Sequence, residues 1–290
     1  SINTCITSPP YWGLRNYNDE SKQLGMEDTP EEFTENLVKV FREVKRVLQD
    51  DGTVWLNLGD SYSSGGRTTT TNQSLRGDKE YGVTRPKPSK GIKPKDLIGI
   101  PWRVAFALQQ DGWYLRQDII WHKPNPMPES VKDRCTKAHE YIFLLSKNVK
   151  YYFDNEAIKE DAKYPQGPNS PKSIKKGKGE FGMDTRGGLS NIGAIAKKNK
   201  RSVWTITTKP FKGAHFATFP KDLIEPCVLA GCPEGGTVLD PFGGSGTTGI
   251  VAAQHKRNAV LLELNQEYID LANARINKEL GIFGQGVQND

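Results

Sequence analysis

The chain has 290 residues, 36% hydrophobic and 26% charged, the balance of a globular protein long enough to bury a full core. No apolar run approaches the ~20 residues that span a bilayer. The four cysteines (Cys5, Cys135, Cys227, Cys232) form no CxxC pair and no secreted framework, so reduced thiols in a cytosolic protein are expected. The net charge is +6 and the pI about 9.0, and the excess is clustered. Residues 61–95 hold eight basic side chains against two acidic, and residues 155–201 hold eleven against five. Such clustering suits a polyanion, although a pair of solvated loops would show it too.

In chain order, residues 2–6 read as a short buried strand ending at Thr7. Next comes TSPPYW, Thr7 to Trp12, which sets stiff backbone and aromatic surface directly after that strand. Residues 30–49 carry an amphipathic helix pattern, with Phe33, Leu37, Val40, Phe41, Val44 and Leu48 at helical spacing. Thr29 is placed to cap it, Pro30 suits its first position, and Glu31 and Glu32 favour its positive end. Asp51-Gly52 is expected to turn the chain into a strand over 53–58, which makes a strand–helix–strand unit of the parallel-sheet kind.

Beyond the first basic stretch, residues 100–110 read as a helix, and 115–121 and 140–145 as strands. Tyr151-Tyr152-Phe153 is a candidate to pair beside them. Residues 156–200 are rich in Gly, Pro, Lys, Ser and Asn without periodicity, which marks a loop-rich insertion. Order resumes with a strand at 202–207, a helix at 221–230, a turn at 233–236, a buried strand at 237–240, a helix at 247–255, a strand at 259–263 and a last helix at 267–280. There is no internal repeat. The class is α/β.

The second informative stretch is VLDPFGGSGTTG, Val238 to Gly249. An apolar strand runs into Asp240-Pro241-Phe242, then Gly243, Gly244 and Gly246, then a helix. Glycines at such a turn admit a ligand close to the backbone. A bare structural turn is the common alternative. No Gly-Lys-Ser/Thr follows, which disfavours a phosphate loop, and Asp240 would oppose a pyrophosphate. A cationic cofactor bearing a ribose suits Asp240 together with Glu263, which ends the next strand.

Together, TSPPYW and the downstream DPFGGSGTTG resemble the amino-methylating DNA methyltransferases of the permuted (beta) kind, the N4-cytosine/N6-adenine family. There the catalytic motif precedes the cofactor motif and the target-recognition region lies between. HFATFP, His215 to Pro220, resembles the family's third signature, which closes over the methionine end of the cofactor. His139-Glu140 and its apolar strand resemble the segment before the recognition region. The match runs nearly the whole length. It implies a Rossmann-like S-adenosylmethionine-dependent methyltransferase sheet with a loop-rich target-recognition insertion. Residues 1–154 form the catalytic half, with a basic loop at 61–95; residues 155–201 form the recognition region, and residues 202–290 the cofactor-binding half.

The resemblance further implies S-adenosyl-L-methionine as cofactor, double-stranded DNA as partner, a place in restriction-modification, and a cytoplasmic enzyme associated with the nucleoid. No membrane is involved, and a homodimer is left open. Ser8 and the Pro9 carbonyl would accept hydrogen bonds from the target amine, Pro9 and Pro10 would hold them rigidly, and Tyr11 would stack on a flipped-out base. Thr7, Asp240, Pro241, Phe242, Gly244, Gly246, Thr247 and Glu263 would line the cofactor, with His215, Phe216, Thr218 and Phe219 over its methionine end. Arg67, Arg76, Lys175, Lys176, Lys198 and Arg201 would hold phosphates, while Arg186 and Asn191 suit base edges.

Ser rather than Asp before Pro-Pro-Tyr leans toward N4 of cytosine, with N6 of adenine the alternative. A catalytically silent DNA-binding module and an RNA methyltransferase of similar fold are the competing classes. Pro226-Cys227 resembles the nucleophile of carbon-5 cytosine methyltransferases, but it falls in a helix pattern, where a buried Cys is the simpler reading. Four scattered histidines show no zinc spacing. Family members carry an acidic Gly-Asp segment about a helix before the catalytic motif. This chain starts a few residues before Thr7, so an amino-terminal piece is expected to be missing.

Overall fold

The computed structural model describes residues 2–13, 24–63, 92–162, 196–208 and 219–281. Strand β1 (Ile2–Thr7) is followed by helix α1 (Pro30–Val47). Thr29 is extended, with φ −133° and ψ 150°, and its Oγ1 accepts from Glu32 N at 3.1 Å. The cap and the proline at the helix start therefore act as the sequence predicts. The helix ends earlier than expected, because Leu48 already takes extended angles (φ −66°, ψ 143°) and opens β2 (Leu48–Leu58). Asp51-Gly52 is accordingly no helix-to-strand turn. Ile2 pairs with Leu48 but Thr4 with Thr53, so the extra residues bulge out of β2 without leaving the sheet.

Next come α2 (Ile100–Gln110), β3 (Tyr114–His122) and β4 (His139–Ser146). Tyr151-Tyr152-Phe153 forms no strand. Both edges of β4 are already occupied, by β2 and by β3. Instead, Tyr152 N donates to Asp51 O at 2.9 Å and Phe153 stacks on Trp55 with ring centroids 6.1 Å apart. A single helical turn (Glu156–Ile158) precedes β5 (Glu160–Asp161), which pairs antiparallel with β6 (Lys197–Lys198). The chain continues through β7 (Val203–Thr205), α3 (Lys221–Gly231), β8 (Thr237–Asp240), α4 (Thr247–Gln254), β9 (Asn258–Leu261) and α5 (Gln266–Leu280).

The central sheet runs β7-β3-β4-β2-β1-β8-β9. Its neighbours pair in parallel except β4, which is antiparallel to both β2 and β3. Alternate residues of β2 serve its two faces. Val54, Leu56 and Leu58 join Phe33, Leu37 and Phe41 of α1 and Val104 and Leu108 of α2 in one buried cluster. Trp55 points the other way, where a Cβ on Gly231 of α3 would lie 2.6 Å from its indole nitrogen. Each large apolar side chain buried this way contributes roughly 1.5–3 kcal/mol.

The chain divides into two compact units, Ser1–Phe153 with Ser202–Asp290, and Asp154–Arg201. Among its described residues the second unit holds the short helical turn and the β5–β6 hairpin, and Asn155 Nδ2 donates to Asn199 Oδ1 at 3.0 Å. In the first unit the connection leaving β1 leads to β2 on one side, and the connection leaving β8 leads to β9 on the other. The strand order reverses between β1 and β8. Ligands of open α/β sheets bind outside the carboxyl ends of strands at such a point.

Candidate active site

TSPPYW leaves the carboxyl end of β1, and DPFGGSG leaves the carboxyl end of the adjacent β8. The two are fastened together at their roots. Thr7 Oγ1 donates to Asp240 Oδ1 at 2.6 Å, Thr248 Oγ1 of α4 donates to Oδ2 at 2.7 Å, and Phe242 N donates to Oδ1 at 3.1 Å. Asp240 is only 1% exposed. Burial is the largest influence on its carboxyl and pushes it up to about 6, while the hydrogen bonds from Thr7, Thr248 and Phe242 pull the other way. It is therefore mostly anionic at pH 7. Its oxygens are buried and accept from three sides, so the carboxylate supports the turn from beneath.

Above this anchor the backbone is shaped by Gly246, at φ 74° the residue before α4. A Cβ there would meet Ala272 and Ile276 of α5 at 3.1 and 3.2 Å, so only glycine lets the turn settle against that helix. Glu263 clasps the turn from the β9 side. Its Oε2 accepts from Gly244 N at 2.9 Å, and Oε1 accepts from Leu264 N and Asn265 N at 2.9 and 3.0 Å. With about four lone-pair sites on a carboxylate, this half-buried group keeps acceptor capacity for a ligand hydroxyl. Arg275 of α5 completes the turn by donating to Ser245 O, Ser245 Oγ and Thr247 Oγ1 at 3.1, 2.9 and 2.8 Å.

On the β1 side, Pro9 is buried, Ser8 and Pro10 are half-buried, and Trp12 is locked by donation from Nε1 to Glu27 O at 2.8 Å. The Tyr11 ring lies against Gly59, where a Cβ would come within 2.5 Å of it. The phenol reaches into a polar cluster. Tyr11 Oη donates to Glu140 Oε2 of β4 at 2.8 Å, lies 3.3 Å from Asn57 Oδ1 of β2, and sits 3.5 Å from Ser8 Oγ. Glu140 also pairs with Lys123 and accepts from Asn57 Nδ2 at 3.2 Å. Burial first, and then the charge of Glu140, hold the phenol proton well above its usual range.

The structure thus brings Thr7, Ser8, Pro9, Pro10 and Tyr11 to the carboxyl end of β1 and Asp240, Pro241, Phe242, Gly244, Gly246 and Thr247 to that of the neighbouring β8, with Glu263 bonded to the glycine turn. Phe219 is half-buried just before α3, while His215, Phe216 and Thr218 lie outside the described residues. So do Arg67, Arg76, Lys175, Lys176, Arg186 and Asn191. Lys198 and Arg201 both face Glu160 of the hairpin, at 3.9 and 3.3 Å. Cys227 is buried in α3, with Sγ 3.4 Å from Leu223 O, as expected of a small hydrophobe.

Sequence reasoning missed Asn57, Lys123, Arg275 and the part played by Glu140. Asn57 carried a signal, as a polar residue amid VWLNL, and it is only 4% exposed. Arg275 carried none, since a basic residue on an exposed-looking terminal helix is commonplace. Asp60 was also missed. Its Oδ1 accepts from Gly99 N and Ile100 N at 3.0 and 3.1 Å, capping α2 from the end of β2.

A switch point holding a glycine turn, an acid just past the next strand and a proline-stiffened loop has the layout of a methyltransferase of the S-adenosylmethionine class. The particular family follows from comparison. The chain belongs to the N6_N4_Mtase family of DNA methylases, whose model matches residues 2–274. It is 53% identical to the Type II methyltransferase M.SmaI of Serratia marcescens over 93% of this chain and 82% of that protein. It is 49% identical to M.Cfr9I of Citrobacter freundii over 96% and 82%. The fold matches PvuII DNA methyltransferase (cytosine-N4-specific), with TM-score 0.62 and 19% identity, over 99% of this chain and 87% of that one. It also matches a putative DNA modification methylase from Thermus thermophilus complexed with S-adenosyl-L-methionine, with TM-score 0.58 and 24% identity, over 97% and 87%. The protein is a Type II DNA methyltransferase with S-adenosyl-L-methionine as its cofactor. Among the described residues no helix is long and apolar enough to cross a membrane.

Proposed function

We propose that the enzyme methylates the exocyclic N4 amino group of cytosine in double-stranded DNA. The observation that carries the base choice is Ser8, which stands before Pro-Pro-Tyr at the carboxyl end of β1, beside the glycine turn. The PvuII enzyme, named for that specificity, shares the fold.

S-adenosyl-L-methionine supplies an electrophilic methyl group on a sulfonium. The residues present suit it: a glycine turn open to close approach, the buried charge of Asp240 beneath, and Glu263 with acceptor capacity to spare for a ribose hydroxyl. Pro241, Phe242, Gly244, Gly246 and Thr247 would line it with their backbone, and Thr7 would act through Asp240. His215, Phe216, Thr218 and Phe219 would close over its methionine end.

The target amine is conjugated to the base ring and is a poor nucleophile. Acceptors at Ser8 Oγ and the Pro9 carbonyl favour a pyramidal nitrogen and free its lone pair for in-line attack. Their rigidity comes from Pro9 and Pro10, so little reorganisation remains when charge develops. Tyr11 presents a ring for a base taken out of the stack.

Residues 155–201 are proposed as the target-recognition region, set between a catalytic half (1–154) and a cofactor-binding half (202–290). Lys175, Lys176, Lys198 and Arg201, with Arg67 and Arg76 of the first basic loop, would hold phosphates, and Arg186 and Asn191 would read base edges. Exchanging 155–201 for the matching segment of a relative should move the methylated site and leave cofactor affinity alone. The base choice is tested by mass spectrometry of nucleosides from DNA treated with the enzyme and labelled cofactor. Label on N4-methylcytosine is expected, and label confined to adenine overturns the reading.

A further inference from the structure

We propose that Glu140 is a positioning residue that fixes Ser8 as a hydrogen-bond acceptor toward the target amine, acting through Tyr11. The inference rests on the catalytic assignment of Ser8 above, and it follows from counting hydrogens along a chain of contacts. Glu140 sits at the start of β4, paired with Lys123, with side chains only 15% and 19% exposed. As the anion partner of an ammonium it can accept hydrogen bonds and cannot donate. Asn57 strengthens the polarity. Its Nδ2 gives its two hydrogens to Glu140 Oε2 and to Tyr141 O, at 3.2 and 3.1 Å, so Oδ1 is the atom that faces Tyr11.

Both groups flanking the phenol on that side are therefore acceptors, at 2.8 and 3.3 Å. The phenol has one hydrogen, and it is committed to them. Burial keeps that hydrogen in place. Toward Ser8 the phenol oxygen offers only lone pairs, so the Ser8 hydroxyl hydrogen turns to Tyr11 Oη across 3.5 Å. The contact is long, and catalytic hydrogen bonds commonly tighten when substrate is bound. The remaining lone pairs of Ser8 Oγ are then free to accept from an exocyclic amine. A serine without this arrangement is ambivalent. Donating its own hydrogen to the amine nitrogen would occupy the very lone pair that must attack the methyl carbon. Polarity, not proximity alone, is what Glu140 contributes.

Glu140→Gln tests the inference, because the amide has nearly the same shape and can donate. A glutamine Nε2 facing the phenol would leave only the longer contact to Asn57 Oδ1, at 3.3 Å, to hold the phenol hydrogen, and so would let Tyr11 donate to Ser8 and reverse the chain. Tyr11→Phe removes the middle link while keeping the ring. Tritium transfer from S-adenosylmethionine to unmethylated bacteriophage DNA gives kcat and KM, equilibrium dialysis gives cofactor affinity, and thermal melting checks folding. Each single variant should lower kcat roughly ten- to hundredfold, the loss of one or two hydrogen bonds made in the transition state. KM for DNA and cofactor affinity should stay within about twofold. The double variant should be no slower than the worse single one, because both cut the same chain.

Wild-type kcat in Glu140→Gln, or losses that multiply in the double variant, would overturn the proposal. If Glu140→Gln does not fold, Tyr11→Phe decides alone: an unchanged kcat overturns the proposal and a lowered kcat with intact cofactor binding supports it. Ser8→Ala separates the two levels of the argument. If Ser8→Ala is harmless, the assignment of Ser8 fails; if it is harmful while Glu140→Gln is harmless, only the role of Glu140 fails.

Discussion

Two turns meet at the switch point of the sheet, and they are built on opposite plans. The turn after β1 is stiffened by consecutive prolines, and its tyrosine is held by partners from β2 and β4. The turn after β8 is thinned by glycines, presents backbone, and is held from beneath by a buried carboxylate and from the side by Glu263 and Arg275. The first plan suits a reacting group that must be aimed. The second suits a ligand that must be admitted and enclosed. Damage to the first should therefore appear in rate, and damage to the second in affinity and stability.

Ser8→Ala should have the largest effect, because it removes an aimed acceptor. A loss of roughly 10²–10³-fold in kcat is expected by analogy with single oxyanion-hole donors. Single-turnover methyl transfer beside equilibrium dialysis of the cofactor would show whether affinity stays within a few-fold. Equal losses in both would erase the contrast between the turns.

Asp240→Ala should do the reverse, weakening cofactor binding and folding before it affects the rate of the bound complex. It leaves the buried Thr7 and Thr248 hydroxyls without their acceptor, at about 1–3 kcal/mol per unsatisfied group. Denaturant melts and cofactor titration would measure both losses.

The same carboxyl predicts a pH dependence. Burial raises its folded pKa from 3.8 to about 6, so between those values the folded state binds the proton and the unfolded state does not. This group's contribution to stability is greatest below pH 4 and declines as pH rises toward 6. Asp240→Asn should remove that declining component from a series of melts between pH 4 and 7. An unchanged pH series would show the carboxyl to be less perturbed than its surroundings imply.

Arg275→Met should have the smallest effect. It deletes the donors to Ser245 and Thr247 and leaves the glycines and Asp240 untouched. A loss of about 1 kcal/mol in cofactor affinity, with kcat preserved, is expected. A larger effect on kcat than on affinity would mean that the turn also takes part in aiming.

The elements were largely legible in the sequence where a local rule sufficed. Thr29-Pro30 announced α1, and Asp240 to Gly246 announced the turn between β8 and α4. The misreadings came where a partner distant in sequence decided the outcome. Asp51-Gly52 looked like a turn, yet pairing with β1 drew it into β2 as a bulge. Tyr151-Tyr152-Phe153 looked like a strand, yet β4 had no free edge to offer. The site followed the same pattern. Ser8 and Tyr11 stood out in TSPPYW, but the tie from Tyr11 to Glu140 spans 129 residues and cannot be read from spacing.

The bond between Thr7 and Asp240 joins residues 233 apart in the chain. At the usual rate of synthesis, ~5–20 residues per second, the segment bearing Asp240 follows Thr7 by roughly 10–50 s. Throughout that interval β1 can pair with β2, which is made soon after it, while its other edge waits for β8. An unpaired strand edge in a nascent chain is open to intermolecular pairing. The loop that bears Ser8 is therefore made early and anchored late. Truncated chains that end before residue 237 should thus be prone to aggregate at the exposed edge of β1.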